Sequence, residues 1–459
     1  MSITLIPITV TIRKPANQHD RLIQMSRALM KKLKIIDTQQ LHLEIGKTMV
    51  SMDIQTIEIS ANEIILPENV VNSFRLPIQS YRFQANYYQH THTLKLGPVI
   101  GLLTNFHFND YEEPNFRSVH KFCEELHQVI IRNGGFFYVL SYDHFLTKGY
   151  YFHEEKWIPA ELPLPDVIYN RIHSRSLEKK KPFKEFRHHL ELLMIPLFND
   201  RFLSKWEVYD QIHKEGSLQA AIPETKIFSE ENLYELAQKY ETLFIKPIHG
   251  SQGRNIIKLI RNENNSYSYK ASFSAGHEQP AKQFSLEDIY EHLKPILQNK
   301  IYIVQQGIPF ITKDFRTIDF RVLCHKKHPL EWTITSIVAR IGAEQEFVSN
   351  LARGGTLLRP LEALKTCMDA RQPKKLLSQI KDLALEIAAT ISDKTQGMFG
   401  ELGIDIGVDF DGKPWLIEVN SKPSKSFEEN QEKIRPSAKA IVQFCTTLVF
   451  DSITEREVG

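Results

Sequence analysis

The chain has 459 residues, 42% of them hydrophobic and 24% charged, with 22 prolines and 20 glycines. That composition excludes collagen, low-complexity disorder and a disulfide-stapled miniprotein, and the length allows about three folding units. Lys+Arg 57 against Asp+Glu 55 gives a formal net charge of +2, which gives no sign of a general nucleic-acid binder. Cys123, Cys324, Cys367 and Cys445 are widely scattered with no CxxC spacing, so thiols in a reducing compartment are expected. The N-terminal apolar run contains Pro7 and lacks a preceding basic flank, and nowhere do 18 apolar residues run together. Neither a secretory signal nor a spanning helix is therefore expected, and the protein is expected to stay inside the cell without membrane partners.

Residues 1–92 read as a β-rich N-terminal module, from the period-two alternation of Gln55-Thr-Ile-Glu-Ile-Ser60 and the run Glu63-Ile-Ile-Leu-Pro67. Gly46-Lys47-Thr48 mimics the end of a phosphate-binding P-loop, but its required first glycine falls at Leu41, so the backbone cannot wrap a phosphate there. Residues 93–198 read as an α/β unit. Pro98–Thr104 is a buried strand, and Val119, Phe122, Cys123, Leu126, Val129 and Ile130 line a helix that stops at Gly134-Gly135. Phe136–Leu140 and Asp166–Asn170 are further strands. Lys179-Lys180-Lys181 reads as a solvated surface loop.

From Asn199 onward a helix beginning at Lys205 is predicted, then a helix capped by Ser229 and a strand Leu243–Pro247 that leads into His249-Gly250-Ser251-Gln252-Gly253. Ser285 caps another helix, followed by strands at Ile301–Gln305, 319–323 and 332–339. Leu376, Ile380, Leu383, Ile387 and Ile391 form the apolar stripe of a long helix, and strands Gly403–Phe410 and Trp415–Val419 meet at the turn Asp411-Gly412.

Chemistry concentrates in that last hairpin. Asp405 lies on its first strand, and Glu418 and Asn420, two residues apart, share a face of its second. Two carboxylates and an amide oxygen beside a turn suit Mg²⁺, which takes few protein ligands and completes its shell with water and phosphate. The alternative is a solvated hairpin with incidental acids. Small residues at Gly250–Gly253 let backbone N–H groups approach phosphate oxygens, and Lys246 adds a cation. Arg321 shares a strand face with Asp319, either as a structural ion pair or as a guanidinium fork for an anion. Arg340, Asn350 and Arg353 precede Gly354-Gly355.

The order of these pieces, from the lysine-bearing helix to Asp…Glu-x-Asn, resembles the ATP-grasp superfamily over residues 199–447. The hinge Ile303–Ile308, the strand Asp166–Arg171 and the ending Glu418-Val-Asn-Ser-Lys-Pro423 are similar to the YheC/YheD endospore coat-associated family, in its longer form. The resemblance implies an α+β ATP-grasp fold: an N-subdomain (199–303) and a C-subdomain (304–447) clasp a nucleotide, the α/β unit precedes them, and 448–459 form a tail. It implies ATP and Mg²⁺ as cofactors, with Lys205 and Lys246 at the phosphates or the adenine edge and the Gly250, Ser251, Gln252, Gly253 loop over the phosphates. Gln305, Gln306 and Ile308 would lie at the adenine pocket, where many relatives carry a glutamate in place of the glutamines. Arg321, Arg340 and Asn350 would act at the transferring phosphate and acyl group, and Asp405, Glu418 and Asn420 would hold the metal. The implied activity is an ATP-dependent carboxylate–amine or carboxylate–thiol ligase working through an acyl-phosphate. Its substrates are a carboxylate and a nucleophile, its partners spore-coat proteins, and its location the mother-cell cytoplasm and the coat. A non-catalytic coat assembly protein that retains the fold is the alternative.

Overall fold

The computed structural model describes residues 4–36, 38–109, 112–250, 254–272, 283–297, 300–342, 355–367, 372–425 and 434–451. The N-terminal module is a closed seven-stranded barrel in the order Ile6–Arg13, Glu63–Pro67, Leu22–Met25, Thr48–Thr56, Gln40–Ile45, Thr93–Gly97, Tyr81–Tyr88. Closure by Ile6–Arg13 against Tyr81–Tyr88 leaves no free edge, and alternating residues such as Ile8, Val10, Leu43 and Phe83 fill the interior. The barrel includes Thr93–Gly97, so it runs past the boundary expected at residue 92. Only the first two residues of Gln55–Ser60 are in a strand. Alternation alone does not make a strand, and past Thr56 the neighbouring Leu22–Met25 has no further residue to pair. The P-loop mimic is a turn in which Gly46 has φ 59° and a Cβ there would lie 1.9 Å from the Leu164 carbonyl oxygen. Glycine is required by both the turn and the approach.

The second unit is a six-stranded sheet in which Val99–Leu103 pairs in parallel with both Phe136–Leu140 and Val167–Asn170. The helix His120–Asn133 buries Phe122, Cys123, Leu126, Val129 and Ile130 against it. A helix near the C-terminus, Pro436–Asp451, joins the same core through Ile441, Phe444 and Cys445, and it crosses the limit expected at residue 447. The Lys179–Lys181 stretch is shorter as a loop than the sequence reading had it, because Lys181 opens the helix Lys181–Leu192. Lys95, 1% exposed, ties barrel to sheet: its ammonium donates to Glu44, to the Gly46 carbonyl and to Asp166.

Two further antiparallel sheets face each other. In the first, Thr225–Ile227, Tyr302–Gln306, Thr242–Pro247, Ile257–Arg261 and Tyr267–Ala271 lie side by side. Helices Glu230–Lys239 and Leu286–Leu297 cover one face through Leu236, Ile245, Leu259, Ile289 and Leu293. Ser229 and Ser285 cap as predicted, accepting from Asn232 N at 3.1 Å and Asp288 N at 3.0 Å. In the second, Thr356–Leu358, Glu331–Ile341, Arg316–His328, Glu401–Val408 and Pro414–Asn420 lie in that order. The helix Pro373–Lys394 backs it with the predicted stripe Leu376, Ile380, Leu383, Ile387 and Ile391. The two uncovered faces, with the end of the second unit, enclose a cavity of about 1680 Å³. This α+β arrangement is the clasp that the resemblance implied.

Candidate functional site

Register builds the acidic corner of this cavity. Asp405 pairs with Glu418 on one side and with Arg321 on the other, so the three occupy one cross-strand row. The Arg321 guanidinium grips both Asp405 oxygens, with Nη2 to Oδ2 at 2.7 Å. Arg340 lies opposite Asp319, donates to it from Nε at 2.6 Å, and reaches Asp405 Oδ2 with Nη2 at 3.0 Å. Burial disfavours the Asp405 carboxylate, but the Arg321 and Arg340 charges outweigh it and hold that carboxyl below its usual range. Burial pushes the Asp319 carboxyl up, against the Arg340 guanidinium and with help from Asp405.

Glu418 takes its cation from another element. Ser204 caps the helix Lys205–His213, accepting from Glu207 N at 3.1 Å, and Lys205 N donates to the Ile248 carbonyl at 3.0 Å. The helix start is thereby fixed beside the end of the strand Thr242–Pro247, and the Lys205 ammonium pairs with Glu418. Asn420 Nδ2 is 3.5 Å from Asp405 Oδ2, so the three expected metal-binding side chains converge. Among the described residues no group of three His, Cys, Asp or Glu could hold a metal ion. Two carboxylates and one amide suit a hard cation such as Mg²⁺ that draws its remaining ligands from water and phosphate, so the donor chemistry fits. The hairpin loop itself is held by Asp409, whose Oδ1 accepts from Lys413 N at 2.8 Å and whose Oδ2 accepts from Trp415 Nε1 at 2.8 Å.

The opposite wall carries Lys246, whose ammonium donates to Gln305 Oε1 at 2.7 Å. Burial, then the neighbouring Lys205 charge, lowers its pKa to about 8, against the pull of Glu418. Gly250 and Ile308 line the cavity, and so does Gly307, where a Cβ would meet the Thr242 oxygen at 2.8 Å. Ser251, Gln252, Gly253 and Asn350 lie outside the described residues. The two hinge glutamines, expected at the nucleotide pocket, are not part of its wall. Gln305 is spent on Lys246 and on Thr225 Oγ1 at 2.8 Å, while Gln306 Oε1 accepts from Glu224 N at 3.1 Å. Their side chains satisfy neighbouring polar groups, and Gln305, opposite Phe244 on the cavity side of the sheet, orients Lys246.

Sequence reasoning gave no role to Arg175, Lys258, Lys270 or Lys422, all of which line the cavity. The alternation Ile257-Lys258-Leu259 could have signalled a lysine on the face away from the core. Behind the site lies a fully buried network. Glu401 Oε1 accepts from Lys425 and from His325 Nε2 at 2.9 Å, and Oε2 accepts from Tyr169 Oη at 2.5 Å and Arg171 Nη1 at 3.3 Å. Burial alone would raise the Glu401 carboxyl, but Lys425, His325 and Arg171 hold it well below its usual range. The network locks the segment after Asn420 to the second unit.

A family model described as YheC/D like ATP-grasp matches residues 194–448. The chain is 26% identical over 403 residues to endospore coat-associated protein YheD of Bacillus subtilis (strain 168), which covers 84% of this chain and 85% of that protein. It is 26% identical over 297 residues to endospore coat-associated protein YheC of the same organism, which covers 62% of this chain and 78% of that protein. Among solved structures, the D-alanine-D-alanine ligase from Coxiella burnetii aligns with a TM-score of 0.47 at 10% identity, over 78% of this chain and 97% of that one. No helix among the described residues is long and apolar enough to cross a membrane.

Proposed function

The chain belongs to the YheC/D-like ATP-grasp family, and from that premise we propose that it is an ATP-dependent ligase joining a carboxylate to an amine or thiol. The observation that carries the reading is the facing of two walls: Asp405, Glu418, Asn420, Arg321 and Arg340 on one, Lys246 on the other, with Lys205 between them. Asp405, Glu418 and Asn420 would hold Mg²⁺, which when bound supplies neutralising charge to the phosphates. Lys205 and Lys246 would bind phosphate oxygens, Lys246 in a partly buried position where water screens its charge less. Ile308 and the backbone at Gly307 would border the base.

In the reaction, a carboxylate oxygen of the acid attacks the γ-phosphorus of ATP, and the bond to the β–γ bridging oxygen breaks to give ADP and an acyl-phosphate. The nucleophile then attacks the acyl carbon, inorganic phosphate leaves, and the nucleophile's proton passes to solvent or phosphate. Arg321 and Arg340, preset by Asp405 and Asp319, would stabilise charge on the transferring group without reorganising. Positioning and electrostatics supply the catalysis, and no side-chain nucleophile is required.

Isothermal calorimetry of ATP with and without Mg²⁺, on wild type and Glu418→Ala, tests the site; equal affinities in the two proteins would sink it. Mass spectrometry of protein, MgATP and spore extract, read for ADP and a condensed product, tests the chemistry. The relatives' names motivate a coat location with coat proteins as partners. A non-catalytic coat protein that keeps the fold is the competing reading, and the observation on its side is that both Asp405 oxygens are already held by guanidiniums. Normal coat assembly by an Asp405/Glu418/Asn420 triple-alanine variant, with no metabolite change, would favour it.

A further inference from the structure

The charge of the cavity is far more lopsided than that of the chain. Among the described residues its wall carries thirteen lysines and arginines against four aspartates and glutamates, in a protein of formal net charge +2, although Arg171, Lys239, Lys422 and Lys425 are paired with acids outside the wall. Three of those acids are already paired, Asp319 with Arg340, Asp405 with Arg321 and Arg340, and Glu418 with Lys205. On the basic side, Arg175, Lys246, Arg254, Lys258 and Lys270 have no ion-pair partner among the described residues. Lys246 is taken up by the phosphates in the ligase reading, which leaves Arg175, Arg254, Lys258 and Lys270 as cavity cations with no assigned anion.

Lys258 and Lys270 give the surplus a place. They stand directly opposite each other on the antiparallel strands Ile257–Arg261 and Tyr267–Ala271, an arrangement of like charges that costs stability. Both lie on the cavity side, because Ile257, Leu259 and Tyr269 take the side packed on the helices. Burial and the Lys270 charge hold the Lys258 ammonium below its ordinary pKa. Phe244 is the next residue in the row, its ring 6.0 Å from Lys258 Nζ and 5.1 Å from Lys246 Nζ. Space agrees with charge: the cavity holds about 1680 Å³, where a pocket for one small ligand takes about 300–1,000 Å³.

We propose that the acid activated in this cavity is an acidic peptide segment, whose reacting carboxylate is flanked by others that lie against the Lys258–Lys270 pair. The identity of the reacting group rests on the ligase reading; the binding of a polycarboxylate chain does not. A nucleic acid would also satisfy the lysines, but it offers no carboxylate to activate.

The test uses the full chain with two peptides, tetraglutamate and tetraglutamine, and with tetrathymidylate, each followed by fluorescence anisotropy at low and high salt. Tetraglutamate is expected to bind at least about tenfold tighter than tetraglutamine, with the gap shrinking as salt screens the lysines. In the double variant Lys258→Gln/Lys270→Gln that preference should fall by about tenfold, while the melting temperature holds or rises because a like-charge contact is gone. Equal binding of the two peptides, no binding of either, or an undiminished preference in the variant overturns the proposal. Tighter binding of tetrathymidylate than of tetraglutamate overturns it in favour of a nucleic acid. Calorimetry of MgATP on the same samples separates the two ideas: loss of nucleotide binding with peptide preference intact refutes the ligase reading alone, and the reverse refutes the peptide alone.

Discussion

Asp405 and Glu418 stand directly opposite each other on neighbouring antiparallel strands, yet each is neutralised from a different part of the chain. Arg321 and Arg340 hold Asp405 from within the same sheet, while Lys205 reaches Glu418 from a helix 213 residues earlier. Two bare carboxylates about 4 Å apart would repel by ~1 kcal/mol even in bulk water. The three cations offset that repulsion, and Arg321 and Arg340 hold the Asp405 carboxyl below its usual range.

Lys205→Met should therefore move two affinities in opposite directions. Without its ammonium, free Mg²⁺ should bind more tightly to the less compensated acids, and ATP should bind about tenfold more weakly for want of a charged hydrogen-bond donor. Calorimetric titration of each ligand checks this, and parallel changes would contradict the arrangement.

The pH dependence follows from Lys246, whose pKa is lowered to about 8 by burial and Lys205. Unfolded lysine titrates near 10.4, so between about 8 and 10.4 the unfolded chain holds more protons than the folded one. Stability from this group is lowest below pH 8, where the buried ammonium is retained, and rises with pH through that window. Phosphate binding should show the reverse trend, weakening above pH 8. Nucleotide titrations at about pH 8.5 in buffers of different ionisation enthalpy should reveal proton uptake on binding; identical heats would count against Lys246.

Glu401→Gln removes the acid that four buried donors share. Breaking a buried charge pair on one side costs about 3–5 kcal/mol, which denaturant midpoints will measure. The Glu401 carboxyl is held well below its usual range, so its stabilisation is full above the unfolded value of about 4.3 and is lost as pH falls through the folded value. The gap between wild type and variant should accordingly narrow on acidification.

Lys95→Met should uncouple the barrel from the sheet behind it, because Glu44 and Asp166 both lose their buried partner. A loss of about 3–5 kcal/mol is expected. Adding Asp166→Asn should restore part of it, since the uncompensated charge is removed. Additive losses in a double-mutant cycle would show the two side chains to be uncoupled.

Whatever depends on a few consecutive residues was legible beforehand. Ser229 and Ser285 announced their helices by supplying an oxygen to an unpaired N–H, and the stripe from Leu376 to Ile391 announced a buried face. Glu418 and Asn420 share a face because strands alternate with period two. What needed the tertiary structure was every partner supplied from far away. Barrel closure recruits Thr93–Gly97, which no local signal assigns to it. The amides of the hinge glutamines are claimed by Thr225, Glu224 and Lys246, partners that lie far off in the sequence. A chain of formal net charge +2 can still fold one strongly basic cavity. Local periodicity sets which way a side chain points, but the charge, burial and partner it meets there are set by strands and helices hundreds of residues apart, whose pairing no short stretch of sequence contains.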